Sequence, residues 1–209
     1  MACLRGVEFS GKTVVIAGAG CEVGIALAHG LGRMGARIVL MDREESTILE
    51  VATLARDRIE PLALDPLRAD LSAQFGEIWA DEPLDILIHL QPLRHPDHLA
   101  AAMSSIPALT RDLARALKAG QGRVLVLFSA PTPLAGIDRA LLDKALCALP
   151  GMLHDKLGVH GICCNGLRLP ASVGDIWSME ALVSTVMFLC GPHGGAIGGA
   201  LLPLWPRSD

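Results

Sequence analysis

The sequence predicts an α/β fold, a single doubly wound parallel sheet of about seven strands with helices on both faces, in one domain spanning 1–209. Three observations point to it. Short strand-like runs alternate with longer amphipathic stretches along the whole chain, the rhythm of strands joined by crossover helices. A glycine-bearing turn closes the first run and opens the first helix. The composition is 51% hydrophobic but only 3% aromatic, which suits a parallel sheet covered on both faces, in a chain long enough to form a core without disulfides or metals.

Thr13–Ala17 (TVVIA) is a β-branched strand run, and Gly18-Ala19-Gly20 is its turn. Val23, Leu27, Leu31 and Met34 then recur at helical spacing until Gly35-Ala36 stops them. A second strand over 37–41 ends at Asp42, close to the ~20 residues that separate turn and acid in a dinucleotide-binding βαβ unit. The alternation continues with a helix over 46–56, a strand over 61–64, a helix over Ala69–Trp79 and a strand over 85–89. A long helix over 99–118, a strand over 123–128, a second long helix over 139–157 and a strand over 161–165 follow. A short helix over 179–189 and a last strand over 200–204 close the chain, which has no repeat, low-complexity tract or dividing linker.

The formal net charge is −4, and no Lys/Arg cluster offers a surface to a phosphate backbone, so nucleic acid is not an expected partner. The first ten residues lack an apolar stretch after a basic start, and the longest apolar runs are strand-length. Neither a signal peptide nor a membrane span is therefore expected, and a cytoplasmic location is. Cys3, Cys21, Cys147, Cys163, Cys164 and Cys190 show no CxxC spacing and read as free thiols, mostly buried. No metal is expected, since zinc ligands cluster at short spacings. His95 and His98 lie in a proline-interrupted loop without a third ligand nearby and read as surface residues.

Taken together, these landmarks resemble the short-chain dehydrogenase/reductase family, with its Rossmann-type fold, over nearly the full length. The turn AGAGCEVG (17–24) is similar to the family's TGxxxGxG. The resemblance assigns Gly18, Gly20 and Gly24 to cofactor binding, Asp42 to the adenosine ribose, and Asp65 in ALDPL to the adenine. GRVLVLFS ends at Ser129, where the family has its catalytic serine, and LLDKAL puts Lys144 at the lysine of YxxxK. GICCN (161–165) resembles the sixth strand, and FLCGPHGGAIGGALLPL (188–204) the cofactor-side turn and last strand.

The departures bear more on function than the matches do. The chain has no tyrosine, and the YxxxK tyrosine position is Ala140. General acid–base assistance of the kind that phenol gives is worth about 10² to 10⁴ in rate. The family's helical asparagine falls near Ala101, the NNAG stretch is His89-Leu90-Gln91-Pro92, and the only asparagine is Asn165. Glu22 replaces the middle glycine of the turn; a carboxylate about 4 Å from a phosphate oxygen costs about 4 kcal/mol at an effective dielectric of about 20, and about 1 in open water. Between Pro170 and Phe188 there is space for little more than one turn and the start of a helix, a shortened substrate lid.

The implied reading is a non-catalytic subunit, with Ser129 and Lys144 vestigial, supporting a competent paralogue in a heteromeric NAD-dependent dehydrogenase, with the hydroxyacyl-CoA type as a setting by analogy. NAD is the implied cofactor, favoured over NADP by Asp42, with binding weak or lost. The alternatives are an active oxidoreductase using Ser129, Lys144 and water, and a nucleotide or ligand sensor. Each residue also has a bland role: Ser129 as a polar strand end, Lys144 as a solvated or intersubunit charge, Asp42 and Asp65 as turn formers, Glu22 as a solvent-facing or helix-capping acid. The expected pairing surface, with a paralogue or with itself, is the two long helices. Leu141, Ala145, Ala148, Leu149 and Met152 would face Ala102, Leu109, Leu113 and Ala116, with Pro150-Gly151 interrupting the second helix.

Overall fold

A computed structural model describes residues 9–53, 57–79, 82–132, 136–171 and 178–204. Its strands are β1 (Thr13–Ala17), β2 (Arg37–Asp42), β3 (Ile59–Ala63), β4 (Ile86–His89), β5 (Arg123–Ser129), β6 (Cys163–Leu169) and β7 (Leu201–Pro203). They form one 7-stranded sheet in the order β3-β2-β1-β4-β5-β6-β7, parallel throughout. The helices are α1 (Glu22–Arg33), α2 (Glu45–Thr53), α3 (Ala69–Trp79), α4 (Gln91–Arg94), α5 (Leu99–Asp112), α6 (Ala114–Gly120), α7 (Ile137–Leu157) and α8 (Met179–Cys190).

Successive strand residues point to opposite faces, so β1 feeds two cores. Val14 and Ile16 meet Leu27 and Leu31 of α1, Ile48 of α2 and Leu182 and Val186 of α8. Val15 and Ala17 face the other way, into the core of Phe75 and Trp79 of α3, Ile106 and Leu109 of α5, Leu117 of α6 and Leu146 and Leu153 of α7. This double coverage is why β1, β2, β4 and β5 read as nearly unbroken apolar runs. Because β1 pairs with both β2 and β4, the strand order reverses there, and a crevice opens at the carboxyl ends of these strands.

Several boundaries differ from the sequence expectation for identifiable reasons. β6 continues past Asn165 to Leu169 because Arg168 is neutralised by Asp143 of α7, whose oxygens accept from its Nε and Nη2 at 3.2 and 2.9 Å. The helix expected over 99–118 is divided at Leu113 (φ −93°, ψ 6°), next to the crossing where the Ser72 hydroxyl donates to Asp112 at 3.0 Å. Pro150 does not end α7. Its ring is buried over Gly166 of β6, where a side-chain carbon would fall 2.6 Å from the proline Cγ. α4 was not foreseen, and the end of the helix expected over 46–56 lies outside the described residues.

The single asparagine has a structural task. Buried Asn165 donates from Nδ2 to the Ile197 carbonyl at 2.7 Å and accepts from the Ala200 N–H at 3.0 Å, which fixes the turn into β7. The expected facing of the two long helices needs correction. Ala102, Leu109, Leu113 and Ala116 are buried in the core, whereas Leu141, Ala145, Ala148 and Met152 are exposed and Leu149 is half-buried. The inward stripe of α7 is Asp143, Leu146, Pro150 and Leu153.

Candidate functional site

The crevice is built on the turn between β1 and α1. The N–H groups of Gly18 and Ala19 donate to the Met41 carbonyl at 2.9 and 3.1 Å, tying the turn to β2. Gly18 has φ +77°, and a side-chain carbon on it would stand 2.9 Å from the Gln91 nitrogen, so the position demands glycine twice over. At Gly24 the same addition would run into the Ala19 carbonyl. Glu22 is exposed in the first turn of α1, and the Cys21 thiol before it donates to the Gly18 carbonyl at 3.6 Å. Burial pushes that thiol above its ordinary pKa, away from a reactive thiolate.

Asp42, at the end of β2, is 0% exposed. Its Oδ2 accepts from the Gly20 N–H at 2.8 Å and from Arg94 Nε at 3.1 Å; its Oδ1 accepts from the Glu44 N–H at 3.1 Å and from Arg94 Nη2 at 3.5 Å. A carboxylate offers about four lone-pair sites, and all are met from within the chain. Arg94 also donates to Glu44 Oε2 at 2.7 Å. Burial works against the Arg94 charge, but hydrogen bonds to Asp42 and Glu44 outweigh it and hold its pKa above the ordinary value. The guanidinium lies directly over the turn: a side-chain carbon on Gly20 would sit 2.8 Å from Asp42 Oδ2 and 3.0 Å from Arg94 Nε.

The segment carrying Arg94 is fixed from below by His89. This imidazole is fully buried; its Nε2 lies 2.9 Å from the Thr110 hydroxyl, and its Nδ1 lies 3.1 Å from Nε2 and 3.2 Å from Oε1 of the Gln91 amide. Thr110 gives its own proton to the Ile106 carbonyl at 2.7 Å, so it accepts from His89 Nε2, and in the neutral ring that burial favours Nδ1 accepts from the Gln91 amide. The neutral ring therefore carries its proton on Nε2. Burial lowers its pKa to about 4, and only the Gln91 amide oxygen, 3.2 Å from Nδ1, acts in the opposite sense by favouring a protonated ring. His95, expected at the surface, is instead 5% exposed, and its Nε2 has no hydrogen-bond partner among the described residues. Asp65 is half-buried and accepts from the Leu67 N–H at 3.0 Å, the geometry of a turn former.

Ser129 ends β5 and lines a cavity of about 320 Å³ together with Cys21, Glu22, Leu93, Leu169 and Met179. Lys144 is exposed on α7, outside that lining and without an ion pair among the described residues. Its neighbour Asp143 is the residue that turns inward. Ala140 and Ala101 are both exposed, and neither side chain can exchange a proton. Arg139 donates to the Pro96 carbonyl at 2.6 Å. In this arrangement Arg94 takes up two acceptor positions of Asp42, and the exposed Glu22 carboxylate stands at the start of α1. The expected shortened lid falls largely on 172–177, outside the described residues. Among the described residues no group of His, Cys, Asp and Glu could hold a metal, and no helix is long and apolar enough to cross a membrane.

No protein-family model and no curated protein matches the sequence. Among solved structures the chain is similar to a gluconate 5-dehydrogenase from Burkholderia cenocepacia in complex with NADP and tartrate, with TM-score 0.79, 22% identity and 96% of each chain covered. It is also similar to a hydroxysteroid dehydrogenase from Escherichia coli, with TM-score 0.84, 16% identity and coverage of 97% of this chain and 98% of the other. A 7α-hydroxysteroid dehydrogenase complexed with NADH and 7-oxo glycochenodeoxycholic acid gives TM-score 0.79 and 17% identity over 97% and 98% of the two chains. The fold is the one these dehydrogenases share.

Proposed function

We propose that the chain is a member of the short-chain dehydrogenase/reductase family that has lost its chemistry and serves as a structural subunit beside a competent paralogue. The observation that carries this reading is Ala140: the position of the proton-transferring phenol is an exposed methyl, in a chain with no tyrosine. Ser129 and Lys144 do not replace it, since only Ser129 lines the cavity. Weak or absent dinucleotide binding belongs to the same reading and is supported by Glu22 at the turn and the covered carboxylate of Asp42.

The test is turnover. The purified chain is expected to oxidise or reduce no alcohol, ketone or hydroxyacyl thioester at an ordinary rate, and to co-purify with a paralogue that carries an intact YxxxK. Turnover above about 1 s⁻¹ that disappears in Lys144→Ala would establish the active-oxidoreductase alternative instead.

A further inference from the structure

We propose that Arg94 is an internal stopper of a latent adenosine site, so that one side chain, rather than a lost pocket, keeps the nucleotide out. The proposal rests on the reading that the crevice no longer holds a dinucleotide and names the residue responsible on the adenosine side. Its first support is position. An acid about 20 residues beyond the glycine turn at the carboxyl end of the second strand is the ribose acceptor of this fold class, and Asp42 lies 22 residues beyond Gly20. The second support is occupancy. Arg94 fills two of the acceptor positions on Asp42 and lies over Gly20, where glycine leaves room above the turn.

The third support is that the stopper is an addition to an otherwise retained frame. Gly18 and Gly24 keep the close approaches that require glycine, and Gly20 still donates its N–H to Asp42. Arg94 comes from α4, a helix of 4 residues whose outer anchor is the exposed carboxylate of Glu44. The next residue, His95, is buried with a ring nitrogen that has no partner among the described residues. The backbone of the segment is tied down separately, with the Leu90 N–H donating to the Ala17 carbonyl at 2.8 Å and the Arg94 N–H to the Leu90 carbonyl at 2.9 Å, so the guanidinium is an addition to an anchored turn. Removing the guanidinium frees the lone pairs on Asp42 that ribose hydroxyls use.

Adenosine is the probe of choice, because it lacks the phosphates that Glu22 repels and so isolates Arg94. Calorimetric titration of the full chain is expected to give no saturation with wild type at millimolar adenosine, and binding at least about tenfold tighter in Arg94→Ser. Because Asp42 accepts from the ribose, 2′-deoxyadenosine should recover less of that gain. Arg94→Ser leaves a buried carboxylate short of partners, so its fold is checked by circular dichroism. If it does not fold, Glu44→Ala, which loosens only the solvent-side anchor, decides the matter through a gain of about twofold or more. A folded Arg94→Ser that gains nothing, a wild type that binds adenosine as tightly as the variant, or an equal gain with 2′-deoxyadenosine overturns the proposal. Tight NADH binding by wild type would instead remove the reading it rests on.

Discussion

His89 shows how a single buried polar side chain can brace a turn. Its neutral ring links β4 to Thr110 of α5 and to Gln91 at the start of α4, so it supports the turn that presents Arg94. This has a consequence for pH. The unfolded imidazole protonates near 6.5, whereas the folded one resists protonation down to about 4. Stability is therefore full above pH 6.5 and falls as pH drops through that window, because the unfolded chain takes up a proton the folded one refuses. At about 1.36 kcal/mol per pH unit the loss is about 3 kcal/mol by pH 4. Urea midpoints measured from pH 7 to pH 4 should show this decline, and His89→Gln should flatten it while lowering stability at pH 7. An equally steep decline in the variant would assign it to other groups. Neither His89 nor Arg94 was legible as part of a site: the first looked like a lost asparagine, and the second meets a partner 52 residues away that no periodicity reveals.

At the scale of elements, α7 is tied to the sheet by a polar contact within an apolar stripe. Asp143 is buried, while Arg168 on β6 remains about a third exposed. Breaking a fully buried pair costs about 3–5 kcal/mol; with one partner in reach of water, about 2 kcal/mol is expected for Asp143→Ala. Asp143→Leu combined with Arg168→Leu should recover at least half of that loss in thermal or urea unfolding, and a double variant less stable than Asp143→Ala would show that the pair is worth more than its desolvation. The same contact marks the limit of what pattern reading can deliver. The inner strand runs and the glycine turn were legible because burial on both faces leaves continuous apolar segments, and the turn has to be glycine at Gly18. The last four residues of β6 were not, because Gly166 and charged Arg168 break the apolar run, and only the fold brings Pro150 over the first and Asp143 beside the second. α4 was invisible for another reason: four residues carry no helical period.

At the scale of the whole molecule the question is what covers the outer surface of α7. Leu141 and Met152 are 63% and 58% exposed, Ile137 at the start of the helix is 80% exposed, and Ala145 and Ala148 complete the row between Leu141 and Met152 at helical spacing. Small residues between large ones allow a second helix to approach closely, and a contiguous apolar strip of this kind is unusual on a chain that works alone. The strip does not meet Ala102 or Leu109, which are interior, so any partner meets α7 itself and the exposed side of α5 around Ala101 and Ser104. Ala145→Arg is the discriminating change. In an isolated chain its guanidinium stands in water and should alter unfolding by no more than about 0.5 kcal/mol, the usual scale for a surface substitution. In an assembled pair the same group would be buried without a carboxylate opposite. Light scattering at micromolar concentration should therefore find the unmodified chain associated, with itself or with a co-expressed paralogue, and Ala145→Arg monomeric at unchanged unfolding midpoint. A stable monomer from the unmodified chain in both settings, or a variant that stays assembled, would leave the subunit proposal without its interface.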